Sequence, residues 1–567
     1  MEITNAKTAA KMRWGETYPR PQFKRDSYFS LVGEWDFAVT DKNALPNEYN
    51  EKINLPFAPE SKLSGIERAI GQNEYMAYRR TVTLPSGFVR NSLILHLGAV
   101  DQVCDVYINR TLAMHHEGGY LPFCVDITDL ALGDEFVIEV LARDVLSHDY
   151  PWGKQRRDRG GMWYTPVSGI WGEVWLESLP ESPIRSLKID QNTERAIIKV
   201  DAAPSKKKLT LATGEVYETE GDTFEITPAI PRLWTPEVPY IYDFVIETPT
   251  DRVESYFALR TISKIEIDGR ERIALNGKPY FFTALLDQGY YDDGIYTPAS
   301  PEGYKNDILF AKALGFNTLR KHIKIEPLIF YSLCDRLGIV VFQDMVNNGG
   351  YSFILDTALP TIGFKRKTFT LRNRNKRTRE IFMQHSRDTQ DHLYNCPSLC
   401  LYTIFNEGWG EFEPDRVFEE LSARDTTRLY DATSGWFYER KSDLDSRHIY
   451  FRAPKLKRVG KRPVFLSEFG GFSLSCEGHL YGDKCYGYKT FESESELTDA
   501  VYSLFVRDTL PLIEEGLCAT VYTQLSDVED EINGLITYDR QKIKVDALKI
   551  KEANELLKNE LLRVCAK

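Results

Sequence analysis

The chain has 567 residues, 42% hydrophobic and 27% charged, a composition typical of globular proteins at a length suited to about three domains. Its net charge of −12 argues against a nucleic-acid partner, which demands clustered Lys and Arg; the basic stretches Lys365–Lys367 and Arg372–Arg379 read as solvated surface. No run reaches the ~20 apolar residues of a membrane span, Met1–Phe23 lacks the apolar core of a secretory signal, and the cysteines are scattered, so a cytoplasmic protein with reduced thiols is expected.

The first third reads as strands. Leu31–Phe37, Tyr78–Leu84, Ser92–Leu97 and Phe136–Val140 are short apolar or alternating runs split by turn residues, with no long helical period between them. That pattern predicts a jelly-roll β-sandwich over residues 1–182. Ala196–Val200, Lys208–Leu211, Thr223–Ile226 and Tyr242–Glu247 form a second strand set, broken by Pro-rich Pro228–Pro239. An immunoglobulin-like sandwich over 183–266 fits it.

After Leu275–Lys278 strands and helices alternate. Strand-like Pro279–Leu286, Phe316–Arg320 and Ile339–Gln343 are separated by helical Tyr304–Leu314 and Pro327–Leu337. Continued to the end of the chain, this alternation predicts a (β/α)8 TIM barrel over 267–567, making the protein a multidomain β plus α/β chain. Leu399–Phe405 would be strand four, Thr433–Trp436 and His448–Phe451 strands five and six, Val464–Ser467 strand seven and Ala519–Gln524 strand eight. Residues 349–379 would be an insertion or lid over the barrel mouth.

Two strand-like runs end in a glutamate: Leu401–Glu407 and Pro463–Glu468. Barrel enzymes keep their chemistry at the C-terminal strand ends, and two facing carboxylates are what glycosidic bond cleavage requires. By strand position alone Glu407 and Glu468 are either a catalytic pair or two ordinary rim acids. No metal-ligand cluster, phosphate loop or dinucleotide fingerprint is present, and Cys396 and Cys400 match no zinc or redox spacing, so neither a metal nor a cofactor is expected. Aromatic residues, 12% of the chain, suit both β-cores and sugar stacking.

Several segments carry a resemblance. Pro397–Glu407 with its Asn-Glu ending, Gly315–Arg320 with Cys334–Ile339, Gly33–Phe37, His116–Tyr120, Ser168–Leu176 and Leu233–Tyr240 together resemble glycoside hydrolase family 2, the β-galactosidase and β-glucuronidase group, in order from about residue 25 to 550. The resemblance implies a retaining exo-glycosidase acting on a carbohydrate substrate, with Glu407 as general acid/base and Glu468 as nucleophile. It further implies that Asn406 holds the sugar 2-hydroxyl, that Tyr450 orients the nucleophile and that Arg320 lies beneath it. A structural salt bridge is the alternative for Arg320, and core packing for Tyr450. Homo-oligomers are common in that family.

Rim position adds further substrate-binding candidates. Asp287 follows strand one, where it binds sugar or caps a turn. His322 alternates onto the face of Arg320, and His448 onto that of Tyr450. Trp409 and Trp436 would wall the subsite or pack the barrel top, and Tyr522 and Gln524 end strand eight. Trp152 and Trp163 are positioned to reach the site from the sandwich.

The sugar is less legible than the reaction. Galactose-specific members carry an Arg-x-Ser-His-Tyr-Pro segment where this chain has Arg320–Pro327, and an acidic residue before Met-Trp where it has Gly160–Trp163. Glucuronidases carry an Asn-x-Lys pair; here Asn533-Gly534-Leu535 lacks the lysine, with Lys542 and Lys544 as substitutes. A β-galactoside-type substrate is expected, with β-glucuronides and arabino- or galactofuranosides as alternatives. A carbohydrate-binding protein on an inactive barrel is the reading from another class.

Overall fold

The computed structural model describes residues 12–566 apart from 268, 362–363, 365–372, 374, 438–439, 451 and 457–459. Two antiparallel sheets form the first sandwich. The six-stranded sheet runs, in spatial order, through Glu51–Leu55, Gly33–Thr40, Tyr75–Thr83, Glu135–Arg143, Val103–Ile108 and Thr111–Glu117. The four-stranded sheet runs through Tyr28–Ser30, Val174–Leu179, Ser92–Leu97 and Phe123–Asp126. Alternation sets the faces: Val174 and Leu176 enter the core with Leu95, Leu97, Trp35 and Val140, while Trp175 and Glu177 point to the outer face.

The second sandwich pairs a three-stranded sheet (Ser186–Gln191, Ala196–Asp201, Thr223–Ile226) with a four-stranded one (Val216–Thr219, Lys207–Leu211, Tyr242–Glu247, Arg252–Phe257). Trp234 fastens it to the barrel: the indole is fully buried and donates from Nε1 to Asp335 O at 2.7 Å. Tyr256 and the Ser398 amide donate to the Asp335 carboxylate at 2.7 and 2.8 Å. Burial nonetheless pushes Asp335 up to about 6.

The boundary expected at 266/267 falls inside a strand. Ile262–Ile267 pairs with Arg270–Leu275, not with the sandwich, and its Ile262 packs with Ile273 and Leu275 beneath the barrel, against Phe282, Phe342 and Phe465. The apolar alternation of this hairpin looks like another sandwich strand in sequence; its partner is decided by the short turn at Gly269, whose φ is +74°.

Eight parallel strands build the barrel: β1 (Phe282–Asp287), β2 (Thr318–Lys321), β3 (Val340–Asp344), β4 (Leu399–Phe405), β5 (Leu429–Thr433), β6 (Asp445–Ile449), β7 (Val464–Gly470) and β8 (Leu517–Thr523). Their ladder runs β5-β4-β3-β2-β1-β8-β7-β6. Around them lie α1 (Glu302–Ala313), α2 (Leu328–Leu337), α3 (Lys376–Leu393), α4 (Pro414–Arg424), α5 (Glu494–Ser503) and α6 (Ala547–Cys565). The caps are chemically ordinary: Asn375 and Asp546 side chains accept from the first-turn amides of α3 and α6.

β5 and β6 both end earlier than expected from sequence. Polar Asp431, Thr433 and Ser446 face the barrel interior and break the apolar pattern, and β5 stops at Ser434-Gly435, so Trp436 belongs to the following loop. Phe451, expected in strand six, lies outside the described residues, as do Lys365–Lys367 and Arg372. Of the expected 349–379 insertion, Phe353–Ala358 forms a wide helical turn beside the barrel mouth and Lys376 already opens α3. Among the described residues no helix is long and apolar enough to cross a membrane.

Candidate active site

The barrel floor is apolar and its top is charged. Above Phe342, Leu401 and Phe465 the inward positions change to Arg320 on β2, Asp344 on β3, Asn406 after β4 and Glu468 on β7. Arg320 is fully buried and joins them. It donates from Nε to Asp344 Oδ1 (2.9 Å), from Nη1 to Glu468 Oε1 (3.1 Å) and Ser467 O (2.8 Å), and from Nη2 to Asn406 Oδ1 (2.9 Å). Such a fork of donors fixes three side chains at once.

Glu468 lies where β7 loses register with both neighbours, after Arg447 on β6 and after Leu466 on β7. A bulge there turns the side chain into the mouth. Tyr450 donates to Glu468 Oε2 at 2.5 Å and stacks on Tyr488 with ring centroids 4.1 Å apart. Burial opposes the Glu468 charge, but the His448 ring and Arg320 more than offset it and hold the carboxyl down to about 2. Burial, with Glu468 beside it, raises Tyr450 well above the usual phenol range, so the phenol stays a donor.

Glu407 takes an unusual backbone. Its φ of 52° and ψ of 26° lie in the left-handed region, disfavoured for residues with a Cβ. Its amide donates to Ser434 Oγ (3.3 Å), and Ser434 in turn donates to Asn406 Oδ1 (2.8 Å). With Oδ1 taken by Ser434 and Arg320, Asn406 has its Nδ2 left for the cavity. His448 Nδ1 meets Glu407 Oε1 at 2.8 Å and its Nε2 stands 3.6 Å from Glu468 Oε1.

These groups line a cavity of about 740 Å³, with Trp409, Trp436, Tyr351, Tyr486 and Tyr488 as aromatic walls and Lys154, Met162 and Trp163 reaching in from the first sandwich. One oxygen of each of Glu407 and Glu468 and one His448 nitrogen lie within 4.8 Å of one another. Two carboxylates this close fit a nucleophile paired with an acid/base, whereas a mechanism that places water between them needs about 6.5–9.5 Å. The same three groups are suitable in kind for a divalent ion, but the Arg320 guanidinium and the Tyr450 hydroxyl already occupy Glu468, and a cation there would face a buried positive charge.

Of the residues singled out in the sequence, Glu407, Glu468, Asn406, Tyr450, His448, Trp409 and Trp436 line the cavity, and Arg320 lies beneath it. Four do not reach it. Asp287 pairs with Lys321 Nζ at 2.7 Å and accepts from the Gly289 amide at 2.9 Å, so it is held by an ion pair and a turn. His322, just past the end of β2, is taken up by Asp344, with Nδ1 at 2.7 Å from Asp344 Oδ2; burial, then the Lys154 charge, lower it to about 4. Tyr522 points outward between Phe469 and Phe505, because on β8 Thr523 takes the inward position. Gln524 stands behind the wall, accepting from Gln288 at 2.9 Å and donating to Asn533 at 2.7 Å.

Trp152 packs under Trp163 and Trp409 at centroid distances of 5.6 and 4.7 Å. Lys544 is buried on Asp527 at 2.8 Å and Lys542 pairs with Glu494 at 3.0 Å. Neither is free to grip a sugar. Sequence reasoning missed Lys154, Tyr488, Thr357 and Ser434. For the first, the run of charged and aromatic residues from Trp152 to Trp163 was the available signal.

No protein-family model matches the chain. A β-galactosidase from Thermoanaerobacter pseudethanolicus is 24% identical over 324 residues, 53% of this chain and 42% of that protein. A β-glucuronidase from Bacteroides fragilis is 24% identical over 420 residues, 66% and 56%. The chain spans about half the length of the curated relatives it matches. Among solved structures, the β-D-glucuronidase from Dictyoglomus thermophilum superposes with a TM-score of 0.73 at 18% identity, over 95% of this chain and 98% of that one. A GH2 β-galacturonidase from Eisenbergiella tayi, bound to galacturonate, gives 0.70 at 17% identity over 96% and 99%. Two sandwiches and a barrel are thus shared with these structures along nearly the whole length of the chain, and in sequence it is similar to proteins named β-galactosidase and β-glucuronidase.

Proposed function

We propose that the protein is a retaining exo-glycosidase that removes a terminal non-reducing sugar. The observation that carries the reading is the Glu407–Glu468 pair, with carboxylate oxygens within 4.8 Å, the Glu468 carboxylate held ionised by His448 and Arg320. In the first step Glu468 attacks the anomeric carbon while the glycosidic C–O bond breaks and the Glu407 proton goes to the leaving oxygen. In the second, Glu407 takes a proton from water, the water oxygen bonds to the anomeric carbon, and the Glu468–sugar ester bond breaks. Asn406 Nδ2 is positioned to donate to the sugar 2-position, a contact that strengthens as positive charge develops on the ring. Walls contributed by the sandwich at Lys154, Met162 and Trp163 support terminal rather than internal cleavage.

For the sugar, relatives named β-galactosidase support a β-galactoside-type substrate, and others named β-glucuronidase support a β-uronide. A β-uronide is favoured by a separate observation: Lys154 enters the cavity close enough to depress Glu468 and His322, and a carboxylate at C6 would suit it. The test is a panel of nitrophenyl glycosides (β-galactoside, β-glucuronide, β-glucoside, β-mannoside, α-arabinofuranoside and β-galactofuranoside), followed by a 2-fluoro analogue of the best substrate. Labelling of Glu468 in a peptide map supports the mechanism; turnover without a trapped ester, or label on another residue, overturns it.

A further inference from the structure

Behind the cavity wall made by β1 and β8 runs a hydrogen-bonded relay of three side-chain amides. Gln288, the residue after β1, donates from Nε2 to Gln524 Oε1 at 2.9 Å. Gln524, the residue after β8, donates from Nε2 to Asn533 Oδ1 at 2.7 Å. Asn533 donates from Nδ2 to Glu531 Oε1 at 3.0 Å, and Tyr164 of the first sandwich donates to Glu531 Oε2. All of these side chains are buried, none more than 4% exposed.

The carboxylate decides which way the relay points. It can only accept, so Asn533 must turn its NH2 group toward Glu531. The Asn533 carbonyl then faces Gln524, whose NH2 must meet it, and the same logic turns the Gln288 NH2 toward Gln524. What remains at the open end is Gln288 Oε1. Among the described residues no donor meets that oxygen, and it is open to the active-site cavity rather than sealed behind the wall. Glu531 is held by neutral donors, without an ion pair among the described residues. A buried carboxylate without a cation is costly, and folds keep such costs where function needs them. β8 stands across the barrel from β4. With the leaving group over Glu407, the β1–β8 wall therefore faces the far side of the sugar ring.

We propose that Gln288 Oε1, held in this orientation by Glu531, accepts from a ring hydroxyl of the terminal sugar and so selects rings with a donor at C3 or C4. This role rests on the exo-glycosidase reading and holds for a galactoside or a uronide, since both carry these hydroxyls. It is tested with the 3-deoxy and 4-deoxy analogues of the preferred nitrophenyl glycoside, each compared with its parent by kcat/KM. A deoxy ring ionises no less readily than its parent, so slower enzymatic turnover reports the lost contact. Wild type should lose about tenfold or more on one analogue, the size expected for one buried hydrogen bond. Gln288→Met keeps the side-chain length without the acceptor and should bring the parent-to-deoxy ratio to about one. Glu531→Gln keeps the shape but frees the relay to turn round, so it should shrink the ratio too. A purely structural role would slow parent and analogue alike and leave the ratio unchanged. Wild type indifferent to both analogues, or either variant keeping the wild-type ratio, would overturn the proposal. The wild-type comparison decides it even where a variant misfolds. Wild type that turns over no parent glycoside would instead sink the exo-glycosidase reading, and this role with it.

Discussion

His448 stands between the two glutamates, its Nδ1 2.8 Å from Glu407 Oε1 and its Nε2 3.6 Å from Glu468 Oε1. The ring is buried and the edge of Trp436 packs against it with centroids 5.6 Å apart. Of the groups that lower the Glu468 carboxyl, His448 acts most strongly, ahead of Arg320. His448→Phe should therefore move Glu468 upward from about 2. Because Glu468 must be ionised to attack, the acid limb of kcat/KM should shift to higher pH. A pH–rate profile checks this; an unchanged acid limb would contradict the electrostatic role.

Tyr450 tests the support of the Glu468 carboxylate from its other oxygen. Tyr450→Phe keeps the stack on Tyr488 and removes the hydroxyl that donates to Glu468 Oε2 and meets Thr523 Oγ1 at 3.1 Å. Loss of one positioned donor at a reacting oxygen typically lowers kcat by about 10²–10³. KM should change much less, and steady-state kinetics on the preferred nitrophenyl glycoside will separate the two.

Glu407→Gln and Glu468→Gln should both reduce turnover by orders of magnitude, but only the first is open to chemical rescue. Azide needs no general base, so it attacks the trapped sugar ester in Glu407→Gln and yields a glycosyl azide of retained configuration. Glu468→Gln forms no ester and should not respond. Product analysis by mass spectrometry distinguishes the two; equal rescue would reverse the assigned roles.

Acid stability follows from the buried carboxylates. Glu468, Asp344 and Asp287 are each held below their ordinary range despite burial, by His448, Arg320 and Lys321 respectively. A carboxyl with a depressed folded value contributes stability that is fully present above the unfolded value, near 4.5 for Glu, and lost as pH falls through the folded one. The share these three groups supply should therefore be level above about 5 and fall from there toward pH 2. It is read as the difference in denaturant midpoint between wild type and Asp287→Asn, because Asp335, raised to about 6, acts in the opposite sense in both.

Trp234→Ala tests the junction of the second sandwich with the barrel. A fully buried indole that also bonds Asp335 O should cost about 3–5 kcal/mol when truncated. The active-site cavity lies at the far end of the barrel from this residue, so KM should hold while the thermal midpoint drops.

The carboxylate pair was legible because each glutamate ends an apolar strand run, a pattern that survives without knowledge of partners. Tyr522 was misassigned by a single step of alternation: Thr523 takes the inward position and Tyr522 the outer layer. His322 is taken up by Asp344 on the neighbouring strand, a partner that nothing in its local sequence reveals. Lys154 and Ser434 belong to loops, and their roles depend on distant segments docking, the first from another domain. β5 and β6 were displaced because polar interior residues such as Asp431 remove the hydrophobic run that marks a strand.

The left-handed backbone at Glu407 has a consequence for how the protein tolerates change. At φ 52° a glycine sits without strain, whereas a glutamate there costs about 1–3 kcal/mol. On its own terms the fold would be better off without the glutamate proposed as acid/base. A library of variants selected only for thermal resistance should drift toward Gly or Asn at 407 and so toward robust, inactive chains. Stabilisation campaigns must therefore hold this one position fixed.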